Sequence, residues 1–514
     1  MGKFEGGGII RVVLTGFRGS GKTTVGGILA DRLGQPFIDT DSEIENKSGM
    51  PIEEIFKEYG EAHFRNLERE VIASLPESDC VVATGGGCVQ SAENAANLRH
   101  DSLVFFLDVS PDVSYGRISE SSRPALTDKD PVDEVKYLIN LRYPAYLRSS
   151  DFRIDADREA GAVADDIVRI IADAATPVSD SDIAAGEDSA GVLRYREVLR
   201  SFSGVPMPER KSEQLFSYVR KHPLGSICAI AGRPSGHSRT PYLFNTIFER
   251  YGIPAHCTYL EKETAGDVAD TVRSCGLRAV SVTIPFKEEI IPYLDEINED
   301  ARAIGAVNTV FNTGNMSNTG GAGGRLLGSN TDWYGVMKPL VESGVKVKSK
   351  KAVVIGAGGA SRAAVYALMK LGADVTVVNR TVGRAEKLAA DMNASLIEGG
   401  CLQTDGKPVE IPCKAGEIEM LREIMPDIII NATSIGMRAE DTPVDRENRV
   451  CLRKGVCVFD LVYTPPVTRL LFEARTAGCT VISGVEMFVY QAAEQLFRYF
   501  GIRVDADEIR NILR

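Results

Sequence analysis

A glycine-rich turn near the amino terminus has the residue spacing of a phosphate-binding loop. Residues 16–23 read Gly-Phe-Arg-Gly-Ser-Gly-Lys-Thr, between an apolar run typical of a strand and a segment with helical spacing. In such a turn backbone N–H groups surround phosphate oxygens, the lysine reaches the β- and γ-phosphates, and the last hydroxyl ligates Mg²⁺. The residues predicted to bind a nucleoside triphosphate are Gly16, Gly19, Ser20, Gly21, Lys22, Thr23 and Thr24.

A second glycine-rich turn, residues 356–361, follows the apolar strand Lys351–Ile355 and opens a helix. It departs from the dinucleotide pattern G-x-G-x-x-G because Ser361 takes the place of the third glycine. The next predicted strand ends in arginines rather than in the acidic residue that binds the ribose of NAD, which favours the 2′-phosphate of NADP. Surface arginines after a turn would give the same pattern. The predicted NADP(H) residues are Gly356, Ala357, Gly358, Gly359, Ala360, Asn379, Arg380, Thr381 and Arg384.

The first part of the chain, from residue 11 to about residue 155, resembles shikimate kinase. The motifs that carry the resemblance are Asp39-Thr40-Asp41, Gly60-Glu61-Ala62-His63-Phe64-Arg65, Gly85-Gly86-Gly87, Arg123-Pro124-Ala125-Leu126 and Arg142-Tyr143. The resemblance implies phosphoryl transfer from ATP to shikimate, with Mg²⁺ held by Thr23 and Asp39. Asp41 would hold the reacting hydroxyl, and the guanidinium forks of Arg65 and Arg142 would bind the carboxylate.

The same resemblance implies further roles in this half. Arg123 would lie in a lid and neutralise charge on the transferred phosphoryl group. The implied shikimate contacts are Asp41, Arg65, Gly85, Gly86, Gly87 and Arg142. The implied catalytic residues are Lys22, Asp41 and Arg123.

Residues 226–514 resemble shikimate dehydrogenase. The matching segments are 232–241, 282–287, 305–309, 328–332, 431–437 and 484–488, followed by Gln491. The resemblance implies that Lys287 and Asp332 form the catalytic pair, with the lysine passing a proton while hydride moves at the ring carbon. Gly484 would contact the cofactor. The implied substrate contacts are Ser238, Thr240, Thr283, Lys287, Asn308, Asn330, Asp332, Tyr463 and Gln491.

Two departures from the dehydrogenase pattern keep alternatives open. The usual Ser-x-Ser reads Ser238-Arg239-Thr240, a pattern associated with relatives that also oxidise quinate, and Phe286 precedes the lysine where histidine is common. One alternative is therefore a quinate/shikimate dehydrogenase fused to a kinase. Another is a non-catalytic regulator of quinate metabolism, against which the intact catalytic residues argue. The domain order also resembles the end of the fungal pentafunctional aromatic-pathway polypeptide without its dehydroquinase domain.

These motifs need buried strands to position them, and alternating strands and helices indicate the α/β class. We expect a parallel-sheet P-loop kinase and then a two-lobed dehydrogenase, with an α/β substrate domain and a Rossmann NADP domain. The expected boundaries are 1–174 for the kinase, 175–222 for a linker that contains helices, 223–335 for the substrate domain, 336–484 for the NADP domain and 485–514 for the returning helices.

Composition limits the partners. The 514 residues carry a net charge of −12, which argues against nucleic acid and anionic membranes. The ten cysteines are scattered without a metal-binding spacing, and no apolar run approaches a membrane span, so a reducing, cytoplasmic location is expected. The expected partners are ATP, Mg²⁺, NADP(H), 3-dehydroshikimate and shikimate. Association with other enzymes of the same pathway is left open.

Overall fold

The chain folds into three α/β units, each built on its own central sheet. The computed structural model describes residues 11–118, 130–179, 181–182, 190–202, 209–236, 238–314, 324–399, 403–404, 407–408, 412–438 and 440–514. In each unit the central strands are buried on both faces, which explains why they read as continuous apolar runs rather than as alternating patterns.

The first unit has a five-stranded, wholly parallel sheet in the order β2-β3-β1-β4-β5. Its strands are β1 (Arg11–Thr15), β2 (Phe37–Asp39), β3 (Val81–Ala83), β4 (Ser102–Asp108) and β5 (Phe152–Asp155). Its helices are α1 (Lys22–Leu33), α2 (Thr40–Ser48), α3 (Ile52–Ala73), α4 (Ala92–Arg99), α5 (Pro111–Ile118), α6 (Pro131–Ser149) and α7 (Ala160–Ala175), with a 3₁₀ turn at Cys88–Gln90.

The middle unit has a six-stranded mixed sheet in the order β7-β6-β8-β10-β11-β9, in which β10 runs antiparallel to both of its neighbours. Its strands are β6 (Ser226–Ala231), β7 (Ala255–Leu260), β8 (Ala279–Val282), β9 (Glu296–Ile297), β10 (Thr309–Asn312) and β11 (Leu326–Ser329). Its helices are α8 (Ala190–Phe202), α9 (Glu209–Lys221), α10 (Thr240–Arg250), α11 (Ala265–Ser274), α12 (Phe286–Glu289) and α13 (Glu299–Ile304), with a 3₁₀ turn at Ile291–Tyr293.

The third unit has a six-stranded parallel sheet in the order β16-β13-β12-β17-β18-β19, with a separate hairpin of β14 and β15. Its strands are β12 (Lys351–Ile355), β13 (Asp374–Val378), β14 (Gln403–Thr404), β15 (Lys407–Pro408), β16 (Lys414–Gly416), β17 (Ile428–Asn431), β18 (Cys457–Asp460) and β19 (Thr480–Ser483). Its helices are α14 (Asp332–Glu342), α15 (Gly359–Lys370), α16 (Val382–Gly399), α17 (Leu421–Ile424) and α18 (Arg469–Thr476), with 3₁₀ turns at Ile418–Met420 and Asn448–Cys451.

Two helices at the carboxyl terminus, α19 (Gly484–Phe500) and α20 (Ala506–Leu513), return to the middle unit. Gly501 ends α19 in the left-handed conformation, with φ 73°. Phe488, Leu496 and Tyr499 of α19 share a buried cluster with Phe244 of α10. The last helices therefore complete the core of the middle unit.

Helices α8 and α9, for which the sequence suggested no role, cover one face of the middle sheet. Val192, Tyr195, Val198 and Phe202 lie on one side of α8 at helical spacing and are buried in a cluster with the strand residue Ile227. These helices are therefore part of the hydrophobic core of the middle unit.

Within the described residues, no helix combines the length and apolar character needed to cross a membrane. All nine described cysteines are free thiols, and eight of them are buried. Burial raises the thiol pKa of Cys257, so this group behaves as a small apolar side chain.

The role of α8 gives a stability prediction. Phe202 is 1% exposed, and Phe202→Ala should lower the free energy of unfolding by about 3–5 kcal/mol because it leaves a cavity under the sheet. Leu199 lies on the same helix but is 38% exposed, so Leu199→Ala should change the free energy of unfolding by less than ~1 kcal/mol. Urea unfolding monitored by far-UV circular dichroism compares the two variants. Equal losses would show that α8 does not bury Phe202 in this core.

Candidate active sites

The phosphate loop is shaped by glycines that no other residue could replace. Gly16, with φ 149°, directly follows β1, and a Cβ there would lie 2.6 Å from the carbonyl oxygen of Leu107. Gly19, with φ 78°, has equally little room. Lys22 begins α1, and its Nζ donates hydrogen bonds of 2.9 Å to the carbonyl oxygens of Gly16 and Phe17. The ammonium group is thus held over the turn where phosphate oxygens would bind.

The residues predicted to hold Mg²⁺ lie beside this loop. The Thr23 hydroxyl donates to a carboxylate oxygen of Asp39 over 2.8 Å. The other oxygen of Asp39 accepts from the backbone N–H of Asp41 and caps α2. A hydroxyl and a carboxylate are the oxygen ligands that Mg²⁺ prefers, and Mg²⁺ takes its remaining ligands from water and phosphate. This pair therefore fits the metal.

The three glycines after β3 bring backbone against the predicted substrate side chains. A Cβ at Gly85 would lie 2.6 Å from Oδ1 of Asp41, and one at Gly87 would lie 2.9 Å from Nη2 of Arg65. The backbone N–H of Gly85 donates to the Thr40 hydroxyl over 3.0 Å. The structure thus places both the carboxylate and the guanidinium against one glycine turn.

A buried carboxylate, Glu68, fixes the orientation of Arg65. Nη1 of Arg65 donates to both oxygens of Glu68 over 3.1 Å, and Nη2 donates to the more exposed Glu61 over 3.1 Å. Asn94 donates to Glu68 from the opposite side over 3.4 Å. Burial raises the pKa of Glu68, while the positive charge of Arg65 opposes that rise. Sequence reasoning missed Glu68, although its position three residues after an arginine on a helix is the signal for an ion pair.

Helix α6 supplies the second predicted carboxylate-binding residue. Nη1 of Arg142 donates to the carbonyl oxygen of Gly86 over 3.3 Å, and the Tyr146 hydroxyl donates to the same oxygen. Burial raises the pKa of Tyr146, so this phenol stays protonated as a donor. Arg123 lies outside the described residues.

Lys287 and Asp332 meet at the cleft between the two lobes of the second half. Nζ of Lys287 lies 2.5 Å from Oδ2 of Asp332, and both side chains are largely buried, at 13% and 5% exposed. Asn308 donates to Oδ1 of Asp332 over 2.7 Å and lies 3.4 Å from Oε1 of Gln491. The pair therefore has a fixed geometry, in which the lysine ammonium can donate a proton and the carboxylate holds it in place.

The role predicted for Asn330 needs correction. Its side chain is fully buried, its amide nitrogen donates to the carbonyl oxygen of Ala306, and its amide oxygen accepts from the backbone N–H of Asp332, each over 2.9 Å. Both ends of the amide are thus bonded to the backbone. Asn330 positions Asp332 at the start of α14 and does not face a substrate.

The hydroxyl groups predicted to bind substrate come from the segments that follow β6, β8 and β18. The Ser238 hydroxyl donates to Thr240 over 3.1 Å. Burial raises the pKa of Tyr463, and its hydrogen bond with Ser238 opposes that rise. Thr283 follows β8, and its methyl group fills the space that a Cβ at Gly232 would need. These residues form a hydroxyl-rich surface suited to a polyhydroxy acid.

The second glycine-rich turn fits a dinucleotide despite its missing third glycine. Gly356 has φ 113°, and a Cβ at Gly358 would point into open space of the kind a pyrophosphate needs. Ser361 is fully buried, and its hydroxyl oxygen accepts a hydrogen bond from the backbone N–H of Gly358 over 3.2 Å. This bond caps the first turn of α15. A Cβ at Gly359 would lie 3.0 Å from Cβ of Lys287, so the turn touches the lysine of the predicted catalytic pair.

The residues predicted to select NADP follow β13. Asn379 donates to the carbonyl oxygen of Thr381 over 2.9 Å and shapes the turn. Arg380 and Arg384 are both exposed, and neither forms an ion pair with a carboxylate in the described part of the chain. Gly484 directly follows β19 and begins α19, and a Cβ there would lie 2.5 Å from the carbonyl oxygen of Val462.

Sequence reasoning also missed Asp460, the fully buried last residue of β18. It accepts hydrogen bonds from Asn431, from the backbone of Val462 and from Thr468, over 2.8, 3.1 and 2.5 Å. Burial raises its pKa, and these hydrogen bonds oppose the rise. Asp460 therefore ties together the two loops that follow β17 and β18, including the one that carries Tyr463. An aspartate at the end of an apolar strand was the available signal.

Family models match four segments of the chain. These are the shikimate kinase at 18–172, the shikimate dehydrogenase substrate binding domain at 230–310, the shikimate / quinate 5-dehydrogenase at 339–403 and the shikimate 5'-dehydrogenase C-terminal domain at 484–514. The order of these matches contains no dehydroquinase domain.

Curated relatives match the second half of this order. The chain is 36% identical over 286 residues to shikimate dehydrogenase (NADP(+)) of Pyrococcus abyssi, covering 56% of this chain and 96% of that one. It is 37% identical over 298 residues to the protein of that name from Symbiobacterium thermophilum, covering 56% and 92%. The Thermus thermophilus shikimate 5-dehydrogenase structure with NADP(H) and shikimate shows 29% identity and a TM-score of 0.46, covering 56% and 98%.

The Arg65–Glu68 pair gives a prediction about the first site. Glu68→Gln should raise KM for the acceptor of phosphoryl transfer roughly tenfold and leave KM for ATP unchanged, because a neutral amide no longer holds the guanidinium by charge. Glu61 bonds the same arginine but its side chain is 69% exposed, so Glu61→Gln should change KM by less than about twofold. Steady-state kinetics of both variants measures the contrast. Equal effects would mean that burial of Glu68 is not what orients Arg65.

Proposed function

We propose that one polypeptide catalyses two consecutive reactions. The chain belongs to the shikimate dehydrogenase family, and it carries a shikimate kinase domain ahead of the dehydrogenase. It reduces 3-dehydroshikimate to shikimate with NADPH and then phosphorylates shikimate with ATP. The observation that carries the proposal is that two separate constellations occur in the same chain. One is the Lys287–Asp332 pair, and the other is the phosphate loop together with the triple-glycine turn that contacts it, Asp41 and Arg65.

In the reduction, Lys287 donates a proton to the carbonyl oxygen of 3-dehydroshikimate as negative charge develops there. Asp332 holds the lysine in position through the 2.5 Å contact and is itself held by Asn308. The hydroxyl surface at Ser238 and Thr240 binds the substrate's polar groups. NADPH, held at the turn that begins with Gly356, supplies the hydride when bound.

In the phosphorylation, Arg65 and Arg142 bind the shikimate carboxylate and Asp41 orients the ring hydroxyl that attacks. Lys22 stabilises the negative charge of the phosphoryl group during transfer. Thr23 and Asp39 would hold Mg²⁺, which neutralises phosphate charge when bound. Catalysis here consists mainly of positioning and charge stabilisation, which is what these side chains offer.

Quinate remains the competing substrate of the dehydrogenase half. One matching family model describes shikimate and quinate dehydrogenases together, and Thr240 occupies the position where a second serine is usual. Oxidation assays with shikimate and with quinate, each with NADP and NAD, decide between them. We expect shikimate with NADP to give the highest kcat/KM.

The two-reaction proposal predicts a coupled assay. With 3-dehydroshikimate, NADPH and Mg-ATP, the purified chain should form shikimate 3-phosphate without an added enzyme. Asp332→Asn should stop the sequence at 3-dehydroshikimate, because the lysine loses its charged partner. Asp41→Asn should stop it at shikimate, because the hydroxyl is no longer oriented by a carboxylate. Product analysis by mass spectrometry separates these cases. A wild-type chain that binds both substrates and turns over neither would instead support the regulator.

The exposed guanidinium of Arg380 gives a cofactor prediction. Arg380→Ala should raise KM for NADP by roughly ten- to a hundredfold, because a charge-assisted contact with the 2′-phosphate is lost. KM for NAD, which lacks this phosphate, should stay within about twofold. As a matched control, Arg422→Ala removes an exposed arginine of the same lobe that pairs with Glu447. Equal use of NAD and NADP by the parent chain would contradict the assignment.

A further inference from the structure

Arg278, at the entrance of β8, is buried between the kinase and dehydrogenase halves. It is 1% exposed and belongs to the dehydrogenase half, but its guanidinium group reaches the end of α6 in the kinase half. Its guanidinium carbon, Cζ, lies 4.9 Å from the ring centre of Phe500 and 5.6 Å from that of Phe311. A fully buried arginine is costly unless its donors find partners, so the partners show what it does.

Those partners are backbone carbonyl oxygens at the carboxyl ends of two helices. Nη1 donates to Ser150 over 2.7 Å, and Nη2 donates to Arg148 over 2.8 Å and to Leu147 over 3.2 Å. Nε donates to Tyr499 near the end of α19 over 2.8 Å. The last carbonyl groups of a helix have no partner within it and carry its negative partial charge. Arg278 therefore caps α6 and α19 together.

The capped helix carries side chains of the proposed shikimate site. Arg142 and Tyr146 of α6 both bond the carbonyl oxygen of Gly86, and Tyr146 directly precedes the first residue that Arg278 holds. A shift of this helix end would therefore move the phenol and, one turn further back, the guanidinium that binds the carboxylate.

We propose that Arg278, from the dehydrogenase half, is a positioning residue for the kinase half: by capping α6 it holds Arg142 and Tyr146 in the geometry that binds shikimate. This inference rests on the proposed kinase function. It makes the shikimate site of the kinase dependent on the docked dehydrogenase.

The charge of Arg278 is offset by backbone carbonyl groups rather than by a carboxylate of its own. A second buried arginine, Arg99, pairs with Asp151 over 2.8 Å and lies 5.3 Å from the ring centre of Phe500, on which Arg278 also stacks. Asp151 is occupied by Arg99 and by the backbone N–H of Val104. The helix carbonyl groups therefore balance the charge of Arg278. A planar fork with five donors can reach four carbonyl oxygens at once, whereas a lysine ammonium has three donors.

The test compares Arg278→Lys and Arg278→Ala in the full chain. Arg278→Ala should raise the kinase KM for shikimate roughly tenfold while KM for ATP stays within about twofold, and Arg278→Lys should lie between it and the parent. The dehydrogenase activity of the same samples reports whether the chain has folded. The control Arg325→Ala removes an exposed arginine of the same half, paired with Glu296, and should leave both activities unchanged.

Hydrogen–deuterium exchange gives a second readout that does not need turnover. Arg278→Ala should speed amide exchange over residues 142–150 and leave α1 unchanged. An unaltered exchange rate there, a parent-like KM for shikimate, or equal losses of all kinetic constants in both halves would overturn the positioning role. A parent chain that fails to phosphorylate shikimate would overturn the proposed function instead, and the exchange measurement would still decide the role of Arg278.

Discussion

Parallel strands leave their carboxyl ends at one edge of a sheet, and each parallel sheet of this chain places its functional groups at that edge. In the kinase half, Gly16 follows β1, Asp39 ends β2 and the triple glycine follows β3. In the NADP lobe, Gly356 follows β12 and Asp460 ends β18. Because the strands are buried, they cannot shift without exposing the core. The loops that follow them are therefore held in fixed positions. The chemistry of this chain depends on that rigidity.

Motif residues could be predicted because they are adjacent to strands in sequence. The family assignment, the α/β class and the cofactor types followed from such local patterns and are confirmed. The supporting residues could not be predicted in the same way. The spacing of Glu68 and Arg65 on α3 could suggest an ion pair, but the burial of Glu68 is seen only in the structure. Asn330 looks like a substrate ligand until its amide is seen to bond backbone at both ends. Tertiary packing decides which polar side chains face a ligand and which hold those that do.

The segment between the two halves shows the same limit. Its composition suggested a linker, and nothing in its residue types indicated a role for α8 and α9. The packing of their apolar side chains on the middle sheet is what shows their role. Leu224, just beyond α9, packs into the core of the kinase half, so the chain is anchored to the first unit after it has already contributed helices to the second. The described part of the connection therefore packs against both units, which a composition argument alone does not reveal.

At the interface between the halves, buried guanidinium groups donate to backbone carbonyl oxygens more than to carboxylates. Arg99 and Arg278 stack on the same Phe500 ring, and Asp151 pairs with Arg99, whereas Arg278 donates to backbone carbonyl oxygens. Separating the halves would remove the guanidinium partner of the Leu147 and Ser150 carbonyl groups at the end of α6 and would expose the aromatic ring. Such an interface favours permanent association, unlike a flexible tether that only raises local concentration. The contact of Arg278 with the end of α6 thus lets the dehydrogenase half contribute to the geometry of the kinase site. The same contact holds the two halves, and so the two proposed active sites, together in one assembly.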